Sequence, residues 1–145
     1  MSCFRPWYSI CLWLAALCAF PQAAFAQLQY TNSTDGTVNE TVTPCTNPLV
    51  RNFTVSDIYT VADVNIGILM SHTYRGDLQF YLQSPAGTRV QLINNIGGTR
   101  NNVNVLFDDA AANPVSNHTA SNDTATATTV VPPYQRTFRP FQVLS

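Results

Sequence analysis

A chain of 145 residues holds one domain, and seven arginines against eight acidic residues, with no lysine, leave a net charge of −1. That inventory builds neither a basic face for nucleic acid nor a polybasic anchor for a lipid surface. Its wealth of Thr, Asn and Ala is common among extracellular β-proteins.

Residues 1–26 read as a secretory signal. Arg5 supplies the positive start, Ile10–Phe20 ("ICLWLAALCAF") is a short apolar run, and Ala24-Phe25-Ala26 is a small-x-small cleavage site before Gln27. The run is too short and wrongly flanked for a membrane span. Cys18 follows Leu17 rather than a small residue, which argues against a lipoprotein signal. The expectation is an exported chain, secreted or at the cell surface, with no membrane span after cleavage. Without Arg5 it carries six arginines against eight acidic residues, a net charge of −2. Cys3, Cys11 and Cys18 leave with the leader, so Cys45 alone remains. A lone cysteine in an exported chain predicts a disulfide partner outside this chain; the plain alternative is a buried free thiol.

Residues 27–44 form a polar Thr/Asn-rich segment with room for an edge strand near Leu28 to Tyr30. From Asn47 to Asp57 and from Ile58 to His72 apolar residues alternate. Val64, Ile66, Ile68 and Met70 share one face, and Asn65, Gly67, Leu69 and Ser71 the other, which is period two. Leu78, Phe80 and Leu82 then alternate with Gln79, Tyr81 and Gln83. "SPAG" (Ser84–Gly87) places Pro and Gly at turn spacing. Val90 and Leu92 resume the alternation, and Val103, Val105 and Phe107 predict another short strand. Ala110 to Val131 offers little to bury, so it is predicted as a long mobile surface loop with one short strand at Thr129 to Val131. Short strands separated by turn signals predict an all-β sandwich or jelly roll. The final "RPFQVLS" is an apolar run that stops abruptly at Ser145, and a sandwich needs a strand to close its core. The expectation is a fragment whose closing strands, and the partner of Cys45, lie beyond it.

Ser71–Ile93 gathers His72, Arg75 and Asp77 around turns. The structural reading has Asp77 accepting from turn amides and Arg75 pairing with Asp77 or with a neighbouring loop carboxylate. His72 is then a satisfied structural histidine, and Ser84, Pro85 and Gly87 build the next turn. Catalysis is poorly supported: there is no G-x-S-x-G elbow, no Gly-rich phosphate loop, and one glutamate, Glu40. His72 and His118 lie far apart without a cysteine pattern, so no zinc site is predicted. Sequons at Asn32, Asn39, Asn52, Asn117 and Asn122 are mostly what chance gives in so Asn- and Thr-rich a chain.

Four stretches in order, "HTYRGDL" (His72–Leu78), "SPAGTRVQLI" (Ser84–Ile93), "FDDAA" (Phe107–Ala111) and "FRPFQVLS" (Phe138–Ser145), make residues 45–145 resemble the P domain, or P/Homo B domain. That domain follows the catalytic domain of subtilisin-like proprotein convertases and occurs in many bacterial secreted proteins. The family pattern continues with a Gly-rich turn and a Trp-containing strand that this chain lacks. The chain also departs in its longer Asn/Thr/Ala loop before Pro132-Pro133. The resemblance implies an antiparallel, jelly-roll-like β-sandwich of galactose-binding-like type with its closing strands missing. It implies structural roles for His72, Arg75, Gly76, Pro85, Gly87 and Arg139. It implies a non-catalytic module whose partner is a protease catalytic domain, in cis or in trans, that supplies the serine endopeptidase activity. A reading from another class is an N-terminal binding or adhesion module of a longer surface protein, with an extracellular protein or carbohydrate as ligand. Calcium is the candidate cofactor that the resemblance adds: Asp77, Asp108 and Asp109 are hard oxygen donors, and carbonyls of Asn101, Asn102 and Asn104 could join them.

Overall fold

The computed structural model describes residues 27–38, 45–58, 60–119, 121–124 and 134–144. The leader, Glu40 and the strand predicted at 129–131 lie outside the described residues. The strands are β1 (Ile66–Met70), β2 (Gln79–Gln83), β3 (Arg89–Asn94), β4 (Val103–Phe107) and β5 (Arg136–Phe138), with single 3₁₀ turns at Arg75–Asp77 and Val115–Asn117. They form a three-stranded sheet, β1-β4-β5, and a two-stranded sheet, β2-β3.

β4 sits at the centre because its alternation is complete. Val103, Val105 and Phe107 are wholly buried, with Asn104 and Leu106 turned the other way. β1 runs antiparallel to it, from Ile66 opposite Phe107 to Met70 opposite Val103. Leu78, Leu92, Ile93, Val115 and Phe138 complete a buried cluster with the three β4 side chains. Ile66, Ile68 and Met70 from one sheet and Phe80 and Leu82 from the other pack against it. Apolar faces of both sheets thus share one core, as in a sandwich-like all-β fold.

The structure departs from the sequence reading in four places. β5 joins β4 in parallel, not antiparallel, with Val105 opposite Arg136 and Phe107 opposite Phe138. The long connection between the two strands permits this, since a parallel neighbour needs a crossover rather than a hairpin. Residues 47–58 and 27–30 form no strand despite their alternation. Val50, Phe53 and Val55 are exposed there, and period-two patterning makes a strand only where a neighbour accepts its hydrogen bonds. In β3 the alternation breaks: Phe80 faces Ile93 but Tyr81 faces Gln91, so Leu92 is an inserted residue. That bulge turns both Leu92 and Ile93 into the core. Finally, the described part of the predicted loop, residues 110–119 and 121–124, is anchored to the core at three buried side chains. Val115, His118 and Asp123 are 1%, 2% and 3% exposed.

Gly67, mid-β1, is required by a close approach, because a Cβ there would fall within the ring of Tyr134. That ring is buried enough to raise its phenol above the ordinary value. Gly67→Ala is expected to lower stability by about 1–3 kcal/mol, the usual range for overpacking. An unchanged urea midpoint would show that Tyr134 leaves β1 freely.

Candidate functional site

The turn after β1 is fixed by a continuation of the β1-β4 pairing. Asn102 N donates to His72 O at 2.8 Å, Arg75 N to Arg100 O at 2.7 Å, and Gly76 N to Gly98 O at 2.9 Å. This ladder points the Arg75 side chain inward, where it is 0% exposed. Its Nη1 donates to His118 O at 3.2 Å and its Nη2 to Ser121 O at 2.6 Å. Gly97, at φ +97°, makes room for it: a Cβ there would lie 3.0 Å from Arg75 Nε. Burial pushes the Arg75 pKa down, partly opposed by the charge of Asp123. The expected pairing of Arg75 with Asp77 is not formed. The carbonyls of His118 and Ser121 hold the guanidinium instead: Arg75 is buried, whereas Asp77 is exposed.

Asp123 is the second buried charge. One carboxylate oxygen, Oδ2, lies 2.8 Å from His118 Nε2 and accepts from Asn104 N at 3.0 Å. The other accepts from Arg136 Nε at 2.8 Å. Arg136 Nη2 also donates to Ser121 Oγ. The His118 ring packs on Phe138 with centroids 4.9 Å apart. Burial alone raises the Asp123 pKa, but the bonds from His118, Asn104 N and Arg136 outweigh it and hold the carboxyl below its ordinary value. Around this centre Asp123 N donates to Asn101 O, Asn102 Nδ2 to Asp123 O, and Asn104 Nδ2 to Thr124 O. The Asn-rich stretch 101–104 is therefore a receptor for the loop 118–124.

A histidine 2.8 Å from a carboxylate invites comparison with a hydrolytic centre, and three observations decide against one. The His118 and Asp123 side chains are 2% and 0% exposed, so substrate has no access. The carboxylate lies 2.8 Å from Nε2, the nitrogen that would have to face a nucleophile, as an ion-pair contact, and neither ring nitrogen makes a hydrogen bond of regular geometry among the described residues. The nearby hydroxyl, Ser121, is engaged by Arg136. The cluster is a polar clamp that joins β1's turn, β4, β5 and the 115–124 loop. The sequence reading missed Asp123 and passed over His118. The one available signal was an Asp five residues after a His in an otherwise uncharged stretch.

His72 N donates to Asn102 Oδ1 at 3.1 Å, and its Nδ1 lies 2.9 Å from Tyr74 O and 3.1 Å from Tyr74 N, so it closes the turn in either tautomer. The Ser84–Thr88 turn carries Pro85 at its first corner and Gly87 at φ +90°, with Gly87 N donating to Ser84 O at 2.9 Å. Arg139 is used through its backbone: its N donates to Asn113 O and its O accepts from Val115 N, both at 2.8 Å. Cys45 is an exposed free thiol.

The three aspartates offered for calcium do not fit one ion. Asp108 follows the end of β4 that faces Ile66, whereas Asp77 lies past the end that faces Met70. The length of β4 alone separates those ends by about 13 Å. Asp108 Oδ1 accepts from Ala110 N at 2.7 Å, and Asp109 accepts from Leu144 N at 2.7 Å. Among the described residues no three His, Cys, Asp or Glu side chains are grouped to hold a metal. Asp77→Ala and Asp108→Ala are accordingly expected not both to abolish a calcium-dependent rise of the thermal midpoint. A calcium-raised midpoint abolished by both substitutions would restore the shared site.

Residues 61–125, spanning β1 to β4 and the loop that carries His118 and Asp123, match the family model for the proprotein convertase P-domain. No curated protein and no solved structure matches the chain. Among the described residues no helix is long and apolar enough to cross a membrane.

Proposed function

On the premise that residues 61–125 match the family model for the proprotein convertase P-domain, we propose that this chain is a non-catalytic accessory module of an exported subtilisin-like serine endopeptidase system. Its task is to pack against the catalytic domain, in cis or in trans, and stabilise it. The observation that carries this reading is the use made of the buried His118-Asp123 pair. The residues best suited to acid–base chemistry lie inside the matched span, sealed from solvent, and bind loop to sheet. Such a site supports a rigid domain rather than turnover. Export rests on the leader pattern at residues 1–26.

The test is direct. The purified chain, incubated alone with azocasein, is expected to release no product. Mixed with the catalytic domain of a subtilisin-like endopeptidase, it is expected to lengthen that enzyme's half-life at elevated temperature. Azocasein hydrolysis by the chain alone, abolished by a serine-protease inhibitor, would overturn the reading. So would an unchanged half-life in both the mixed and the covalently linked forms. The adhesion reading keeps one specific support, an exposed and ordered polar face on the smaller sheet.

A further inference from the structure

The outer face of β2-β3 carries a row of side chains hydrogen-bonded head to tail. Gln91 Nε2 donates to Tyr81 Oη at 2.9 Å, Tyr81 Oη to Gln79 Oε1 at 3.2 Å, and Gln79 Nε2 to Asn95 Oδ1 at 2.7 Å. The row is anchored where Asn95 Nδ2 donates to Gly76 O at 2.9 Å. Asn95 takes a left-handed backbone, φ 51°, which its short polar side chain tolerates and which places it at the end of the row. The Leu92 bulge brings Gln91 opposite Tyr81. At the other end Gln142 N donates to Gln91 O, and Gln142 Oε1 accepts from Gln91 N at 2.7 Å.

Solvated side chains on an ordinary sheet face keep their rotamer freedom, since holding them costs entropy. Here three amides and a phenol are fixed with known polarity, each retaining a spare N–H or lone pair. Tyr81 remains 43% exposed, with the Arg89 guanidinium 4.3 Å over its ring. Neither β2 nor β3 contains an acidic residue. An ordered row of amides beside an exposed ring, with one delocalised cation and no carboxylate on either strand, complements a ligand that is neutral, hydroxyl-rich and apolar on its ring faces.

We propose that this face binds a neutral saccharide. Tyr81 supplies, on the ring face opposite the one that Arg89 covers, the contact for the C–H face of a sugar ring, and Gln79, Gln91 and Asn95 take its hydroxyls. Cross-strand neighbours lie about 5 Å apart and alternate residues about 7 Å apart, spacings that suit hydroxyls of one or two adjoining rings. The fixed amides lower the ordering cost of binding. This inference is independent of the protease reading and survives its failure.

The experiment applies the purified protein to an immobilised array of neutral hexose and N-acetylhexosamine oligosaccharides, with sulfated and uronic-acid oligosaccharides alongside. Affinity for each hit is then taken by calorimetry. Wild type is expected to retain one or more neutral oligosaccharides. Tyr81→Ala and the double variant Gln79→Ala/Gln91→Ala are each expected to weaken binding at least tenfold. Gln83→Ala, on the same strand but outside the row, is expected to leave affinity unchanged. Gln79, Tyr81 and Gln83 are exposed and Gln91 is half-buried, and unchanged thermal midpoints confirm that the variants fold. Three results would each overturn the proposal: no neutral oligosaccharide retained, retention of anionic glycans only, or affinity that Tyr81→Ala does not alter.

Discussion

Asp123→Asn is expected to cost about 3–5 kcal/mol of folding free energy at pH 7, the range seen when one partner of a buried charge network is removed. The carboxylate is 0% exposed and faces His118, Arg136 and Asn104 N at 2.8–3.0 Å. The amide replaces two of its acceptor sites with donors that point at other donors. The pH dependence has a definite sign. The folded-state pKa of Asp123 lies below its unfolded value, so its stabilisation is complete above about pH 4 and is lost as pH falls through the folded pKa. Urea unfolding followed by circular dichroism should therefore show a wide gap between wild type and variant at neutral pH that narrows in acid. A gap that is absent at pH 7, or constant down to pH 2, would mean that Asp123 does not stabilise the fold as a carboxylate.

Arg75→Ala is expected to be as damaging, again about 3–5 kcal/mol, for a different reason. Arg75 is the largest of the fully buried side chains. Its removal leaves a cavity beneath Gly97 and strips the carbonyls of His118 and Ser121 of their donor. Arg75→Lys keeps the charge but not the planar fork that reaches two carbonyls at once, so it is expected to recover less than half of the loss. Full recovery by lysine would show that charge alone matters there. Because Asp123 acts on Arg75 through space, the double variant Arg75→Ala/Asp123→Asn should cost less than the two single changes added together, and a double-mutant cycle reads that coupling.

Strands whose neighbours are near in sequence were legible beforehand. β2 and β3 are joined by the Ser84–Gly87 turn, whose Pro and Gly specify its geometry. β4 buries every second residue, as its pattern demands. The bulge at Leu92 was not legible, because two adjacent apolar residues fit either face until a partner strand fixes the register. The segment 47–58 showed the opposite failure: it has the pattern, but among the described residues no strand pairs with it, and its bonds to residues 30–34 run through side chains. The family resemblance was carried by "HTYRGDL", "SPAGTRVQLI" and "FDDAA", which all fall within the matched span, whereas "FRPFQVLS" lies outside it. At the site, His72, Arg75 and Gly76 were singled out from their local pattern. Arg75 was expected to pair with Asp77 or with a neighbouring loop carboxylate; the charge of Asp123, on the loop, acts on it, while its hydrogen bonds go to carbonyls. Its acceptors lie 43 and 46 residues along the chain.

Two-residue periodicity, turn residues and a charge balance without lysine are short-range chemistry and can be read from the order of residues alone. Tertiary structure alone decided which charges are inside. Arg75, His118 and Asp123 sit in stretches whose composition suggests surface, and each is buried because carbonyls, amides and counter-charges from distant segments converge on it. A buried ion is tolerable only when such partners replace water, and those partners come together only once the chain has folded.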